Sequence, residues 1–208
     1  MAKVKICGLA NYNDALDATN LGADFLGFHF IKESPKKVSE KMVSEIVSKL
    51  PPFVAAVGVF ADEDLKAVSK TVKKCSLKNV QFNGNETPGF CKTVRDELGV
   101  KVFKFFRLEN DESLLPLESY AGNADYFVFD ASFADGETMK QNYALAAKAG
   151  NLKVPFFMSG QIKPEDIAQV LEAAVPFGID GDSGIERLPK RKDYGKMNAF
   201  IRYAHGLK

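Results

Sequence analysis

The chain lacks tryptophan and has only two histidines and three cysteines. It shows no CxxC pair and no Cys/His cluster, so no zinc or haem site is expected. Cys7, Cys75 and Cys91 cannot all pair with one another, and a disulfide framework fits poorly. Neither charge sign is in excess: 28 basic against 27 acidic side chains leave +1, which removes the electrostatic case for nucleic acid or a membrane surface. No run approaches the roughly 18 apolar residues of a membrane span. The opening MAKVKICGLA has neither a signal-peptide core nor a cleavage site. A soluble, reduced, cytoplasmic protein is expected. With 208 residues, 46% of them apolar, the chain can bury a substantial core as one domain, 1–208.

What is present is a two-stroke pattern. Short apolar runs at Lys3–Cys7, Ala23–Phe30, Phe53–Phe60, Asn79–Phe82, Lys101–Phe106, Ala124–Asp130, Val154–Ser159 and Phe177–Asp180 read as strands. Between and after them, Asn11–Leu21, Ser39–Leu50, Glu63–Cys75, Thr87–Leu98, Glu112–Ala121, Met139–Ala149, Pro164–Ala174 and Asp193–His205 read as helices. Capping residues such as Asn11 and Ser39 open them, and Gly22 or the Pro51-Pro52 pair closes them. Continuous rather than alternating apolar runs mark strands covered on both faces, as in a parallel sheet. After the first strand CGLANYN stands where GxGxxG would mark a dinucleotide fold, and GxxxxGK[ST] is absent. The α/β architecture expected is therefore a single (β/α)8 TIM barrel.

Such barrels carry their chemistry at the C-terminal ends of the strands. The positions so placed are Cys7; Lys32, Glu33, Lys36 and Lys37; Asp62; Gln81 and Asn83; Arg107; Asp130; Ser159-Gly160-Gln161; and Asp180 to Gly184. Cys7 could serve as a base if positive charge lowers its pKa, or be a small buried hydrophobe. Asp130 ends the apolar FVFD, where burial would favour general-acid use; a turn or cap role is the plainer alternative. Glycines in both of the last two loops, SGQ and DSG, favour a phosphorylated ligand. The basic stretches KESPKK and LPKRK read as solvated loops, with Lys190 or Arg191 available to an anion. His29 reads as a hydrogen-bonded barrel residue, and Cys75 and Cys91 as helix packing.

KVKICGL, ADFLGFHF followed by SPKKVS, PPFVAAVGVF, VQFNGNE and DSGIE lie in an order that resembles the phosphoribosylanthranilate isomerase family of tryptophan biosynthesis, from about Lys3 to Phe200. The resemblance implies a cofactor-free Amadori rearrangement of a phosphorylated small molecule, by a monomer or homodimer. It implies Cys7 as general base and Asp130 as general acid. Substrate binding falls to Lys36, Gln81, Gly160, Gln161, Asp180, Ser183 and Gly184. Departures are equally visible. Lys36 replaces the family arginine that meets the anthranilate carboxylate, and so loses its bidentate fork. Asn83 replaces a histidine, Gln161 a glycine, and DGETMKQNY an unlike stretch after the sixth strand. Asp182 replaces a serine beside the expected phosphate, where a facing carboxylate about 6 Å away would repel by roughly 3 kcal/mol at an effective dielectric near 20. A related barrel enzyme for another sugar phosphate or amino sugar, or a non-catalytic paralogue, would share these motifs.

Overall fold

The computed structural model describes residues 1–130 and 136–207, with the backbone alone for 136–140. Eight parallel strands close into a barrel in chain order: β1 (Lys3–Ile6), β2 (Phe25–His29), β3 (Ala55–Phe60), β4 (Asn79–Phe82), β5 (Lys101–Arg107), β6 (Tyr126–Asp130), β7 (Phe156–Ser159) and β8 (Gly178–Gly181). The helices between and after them are α1 (Tyr12–Leu21), α2 (Glu40–Val47), α3 (Leu65–Cys75), α4 (Pro88–Leu98), α5 (Leu117–Tyr120), α6 (Gly136–Ala149), α7 (Ile167–Ala174) and α8 (Tyr194–Ala204). The expected (β/α)8 barrel is what forms. No helix among the described residues is long and apolar enough to cross a membrane.

Capping sets the helix starts. The side chains of Asn11, Ser39, Asp64, Thr87 and Asp193 each accept a backbone N–H from the first turn of the helix that follows. They therefore lie just outside helices that the sequence pattern had begun at or near them. The fifth helix differs more. Pro116 lacks an N–H, and the expected Glu112–Ala121 helix splits into a 3-10 turn, Asp111–Leu114, and the single-turn α5. Pro164 likewise opens a 3-10 turn before α7.

Period-2 alternation divides each strand between two environments. Outward residues such as Val4, Ile6, Leu26, Phe28, Val80 and Phe129 join the large core beneath the helices. Inside the barrel, Val57, Phe103, Val128 and Phe157 form a separate cluster with Phe25, Phe105 and Tyr126. Phe25 meets Phe103 and Phe157 edge-on at 5.6 Å, a favourable ring arrangement. This aromatic plug fills one part of the barrel interior and leaves polar inward residues for the other.

A feature not expected from the pattern follows β8. A 3-10 turn, Ser183–Ile185, leads into a hairpin of β9 (Glu186–Leu188) and β10 (Arg191–Lys192). Pro189 and Lys190 make its turn; proline pre-sets the first central position and Lys190 takes a left-handed φ of +66°. LPKRK is thus a structured hairpin rather than a loop. Its two ends differ: Lys190 and Arg191 are exposed, whereas Lys192 is buried.

Candidate active site

A cavity of about 230 Å³ opens among the strand ends and the loops that follow them. Cys7, just past the end of β1, and Asp130, the last residue of β6, both border it. Gln81, Gly160, Gln161, Asp180 and Ser183 border it as well. Lys36 and Gly184 do not. Gly184 instead packs on the loop after β7, where a Cβ would meet Ile162 and come within 2.8 Å of Gln161 O. Its glycine serves the close approach of the two loops. Gly160 and Gln161 are both left-handed, with φ of +103° and +52°. The loop thus keeps a glycine-like backbone at Gln161. Residues 131–135 after β6 and the side chains of 136–140 lie outside the described residues, and with them most of the DGETMKQNY stretch in which the sequence departs from the family.

The cavity floor is charged. Lys5 Nζ donates to Asp180 Oδ2 at 2.7 Å, with both side chains at most 3% exposed. The two residues are register partners on β1 and β8. Burial would push Lys5 down, but Asp180 and Cys7 beside it hold the ammonium charged, above the usual lysine range. Asp180 Oδ1 is buried with no hydrogen-bond partner among the described residues, and so is Gln81 Oε1. Gln81 Nε2 is spent on Asn83 Oδ1 at 2.9 Å. An unpaired buried acceptor costs about 1–3 kcal/mol, which a ligand hydroxyl would recover.

Asp182 faces neither a free anion site nor solvent alone. Its Oδ1 accepts Lys36 Nζ at 2.6 Å and Lys192 Nζ at 2.9 Å, and Glu186 Oε1 lies 3.0 Å from Lys36 Nζ. Burial works against this carboxylate, yet Lys192 and Lys36 outweigh it and hold Asp182 well below the usual carboxylate range. The expected repulsion of a phosphate is therefore offset by two ammonium groups. Chain geometry brings them together. Val38 N–H donates to His29 O at 2.9 Å, returning the loop after β2 to its strand. Gly8, with φ of +68°, leaves room where a Cβ would come 2.7 Å from Lys36 Cδ. The expected free cation at Lys36 is thus already paired, and Lys192 replaces Lys190 and Arg191 as the inward lysine.

Cys7 Sγ also lies 3.4 Å from His29 Nε2. Sγ, Nε2 and a carboxylate oxygen of Asp182 fall within 4.8 Å of one another. Lys36 and Lys192 already neutralise that carboxylate, and Lys5 acts on Cys7 as well. Three ammonium groups around the cluster disfavour a dication. Lys5, His29, Glu186 and Lys192 escaped the reading of the sequence as site residues. Period-2 spacing offered one signal: Lys5 stands two before Cys7, and His29 two after Gly27.

The model of the N-(5'-phosphoribosyl)anthranilate isomerase family matches residues 4–203. The N-(5'-phosphoribosyl)anthranilate isomerase of Geobacter sp. (strain M21) is 37% identical over 210 residues, covering all of both chains. Among solved structures, a phosphoribosyl anthranilate isomerase in complex with reduced 1-(o-carboxyphenylamino)-1-deoxyribulose 5-phosphate superposes with TM-score 0.90 at 28% identity, over the whole of both chains. Monomers generated from the dimeric Thermotoga maritima enzyme give TM-score 0.89 at 28% identity, again over both whole chains.

Proposed function

The chain belongs to the N-(5'-phosphoribosyl)anthranilate isomerase family of tryptophan biosynthesis, and from that premise we propose how its own residues carry out the reaction. The substrate is N-(5'-phosphoribosyl)anthranilate and the product 1-(2-carboxyphenylamino)-1-deoxyribulose 5-phosphate. The observation that carries the assignment of roles is that Cys7 and Asp130 border one cavity from separate strand ends.

Asp130 gives a proton to the ribose ring oxygen, and the C1–O bond breaks to leave an open-chain Schiff base. Cys7 thiolate takes the proton at C2. The electron pair of that C–H bond forms C1=C2, and the resulting enolamine tautomerises to the ketone. Each group is typically worth 10²–10⁴-fold in rate. The unpaired acceptors Asp180 Oδ1 and Gln81 Oε1 receive sugar hydroxyls. The loops carrying Gly160, Gln161, Ser183 and Gly184 cradle the phosphate, and Lys36 meets the anthranilate carboxylate by leaving Asp182. No step calls for a cofactor. We place the enzyme in the cytoplasm, as a monomer or a homodimer.

The test is turnover of phosphoribosylanthranilate made in situ, followed by loss of its fluorescence. Wild type should turn over, and Cys7→Ala and Asp130→Asn should each lose at least about 10²-fold in kcat while remaining folded. A folded wild type that does not turn over would refute the reading.

A further inference from the structure

Cys7 does not face the cavity alone. Its Sγ lies 3.4 Å from His29 Nε2, and His29 Nδ1 lies 3.0 Å from Ser34 Oγ. Backbone geometry fixes this arrangement. Cys7 N–H donates to Gly181 O at 2.9 Å, which holds the end of β1 against β8. A Cβ on Gly27 would come 2.6 Å from Sγ, so the glycine in β2 gives the thiol room. His29 ends β2, and Ser34 Oγ is itself anchored by the Lys36 N–H at 3.1 Å. Both Cys7 and His29 border the cavity.

We propose that His29 is the proton acceptor of Cys7: with Nδ1–H donated to Ser34 Oγ, Nε2 takes the thiol proton and leaves the thiolate that attacks C2–H. This rests on the isomerase reading and deepens it. The bookkeeping closes. The S–H bond breaks as Nε2–H forms. The thiolate then takes the C2 proton, and the electron pair left on carbon neutralises the iminium. Thiol and imidazolium remain, so the positive charge of the Schiff base has moved to His29; the one proton His29 then releases is matched by the one the Asp130 carboxylate takes up, which resets both groups.

The electrostatics call for such an acceptor. Burial pushes the Cys7 thiol up to about 11, and Lys5 offsets only part of this. Cys7 alone would therefore hold little thiolate at neutral pH. Burial also pushes His29 down to about 4, so its ring is neutral at pH 7; this shift opposes proton uptake, and it is the 3.4 Å Sγ–Nε2 contact, with the opposite charges it would pair, that favours the transfer. Asp182 favours the imidazolium, while Lys5, Lys36 and Lys192 oppose it. A thiolate and an imidazolium formed together each supply the counter-charge the other lacks. Adjacent base and sulfur is the usual means of activating a cysteine.

Alkylation of Cys7 by iodoacetamide, quantified on its peptide by mass spectrometry across pH, needs no substrate. His29→Gln keeps a polar contact to Sγ but cannot take a proton. It should slow alkylation at pH 7 about tenfold and move the profile to higher pH. In turnover it should lower kcat about 10²-fold with KM within threefold. An alkylation profile superimposed on the wild type would overturn the proposal. Should the variant not fold, nitrogen-15 histidine spectra of the wild type decide, since there are two histidines to assign. An Nδ1–H tautomer at His29 supports the acceptor role, and an Nε2–H tautomer overturns it. The two readings fail separately. An alkylation shift without wild-type turnover removes the isomerase reading alone. Turnover that needs Cys7 but not His29 removes the acceptor role alone.

Discussion

Lys36 Nζ and Asp182 Oδ1 lie 2.6 Å apart, so the cation expected to meet the substrate carboxylate is held by a carboxylate of the protein itself. On the proposed assignment of Lys36, the substrate carboxylate would displace an internal competitor of its own chemistry. Asp182→Ser should loosen Lys36, leaving it only Glu186 Oε1 at 3.0 Å, while Lys192 keeps Glu186 and the main-chain oxygen of residue 182 as partners. We expect KM to fall about tenfold, the equivalent of roughly 1.4 kcal/mol. Steady-state kinetics decide it. A KM that rises instead would show that Asp182 helps to build the binding surface.

That pairing also marks where the sequence ceased to be informative. The barrel was legible because its signals are local. Eight apolar runs, the capping side chains of Asn11, Ser39 and Thr87, and the prolines after α2 each act within a few residues. The place of Cys7 and Asp130 at the cavity could be foreseen because a barrel strand end is a position countable along the chain. Lys36 and Asp182 meet across 146 residues, and no local rule joins them. Lys5 is a similar case. Within KVKI nothing local separates it from exposed Lys3, yet closure of β1 on β8 places it opposite Asp180. Lys192 was hidden by its neighbours, since only the alternation of a two-residue strand separates it from exposed Arg191.

The Lys5–Asp180 pair yields the second prediction. Removing one member strands the other, a loss of about 3–5 kcal/mol for a buried pair. Lys5→Met should therefore destabilise strongly in urea titration, and it leaves both Asp180 oxygens unsatisfied. Lys5→Met combined with Asp180→Leu should regain most of that stability, because apolar groups of similar volume can replace a buried ion pair. Turnover should be lost in the double variant, since Asp180 Oδ1, the acceptor proposed for a sugar hydroxyl, is gone. Recovery of turnover there would show that Asp180 is structural only.

Gln161 supplies a third. It holds a φ of +52° directly after Gly160 at +103°, a conformation L-residues adopt at a cost of about 1–2 kcal/mol. Gln161→Gly should stabilise the protein by about 1 kcal/mol, part of the gain being returned to the freer unfolded chain. Gln161→Ala serves as control, because it removes the side chain but keeps the strain. Equal midpoints for the two variants in thermal unfolding would refute backbone strain as the cause.

The pH dependence of stability follows from His29 and Asp182 in separate windows. His29 sits at about 4 because burial disfavours its charged ring, against 6.5 for an ordinary histidine. Below pH 6.5 the unfolded chain takes up a proton that the folded one refuses, so stability falls as pH drops, until the folded ring titrates near 4. Between pH 7 and 4.5 this amounts to about 2 kcal/mol. Asp182 acts in the same direction in a more acidic window. Lys192 and Lys36 overcome the penalty of burial and depress its pKa, so its contribution persists above the ordinary carboxylate value and is lost only in stronger acid. Urea titrations at pH 7 and 4.5 should thus show a loss in wild type that His29→Gln largely abolishes, while Asp182→Ser retains it. Parallel losses in wild type and His29→Gln would remove His29 as the origin of this window.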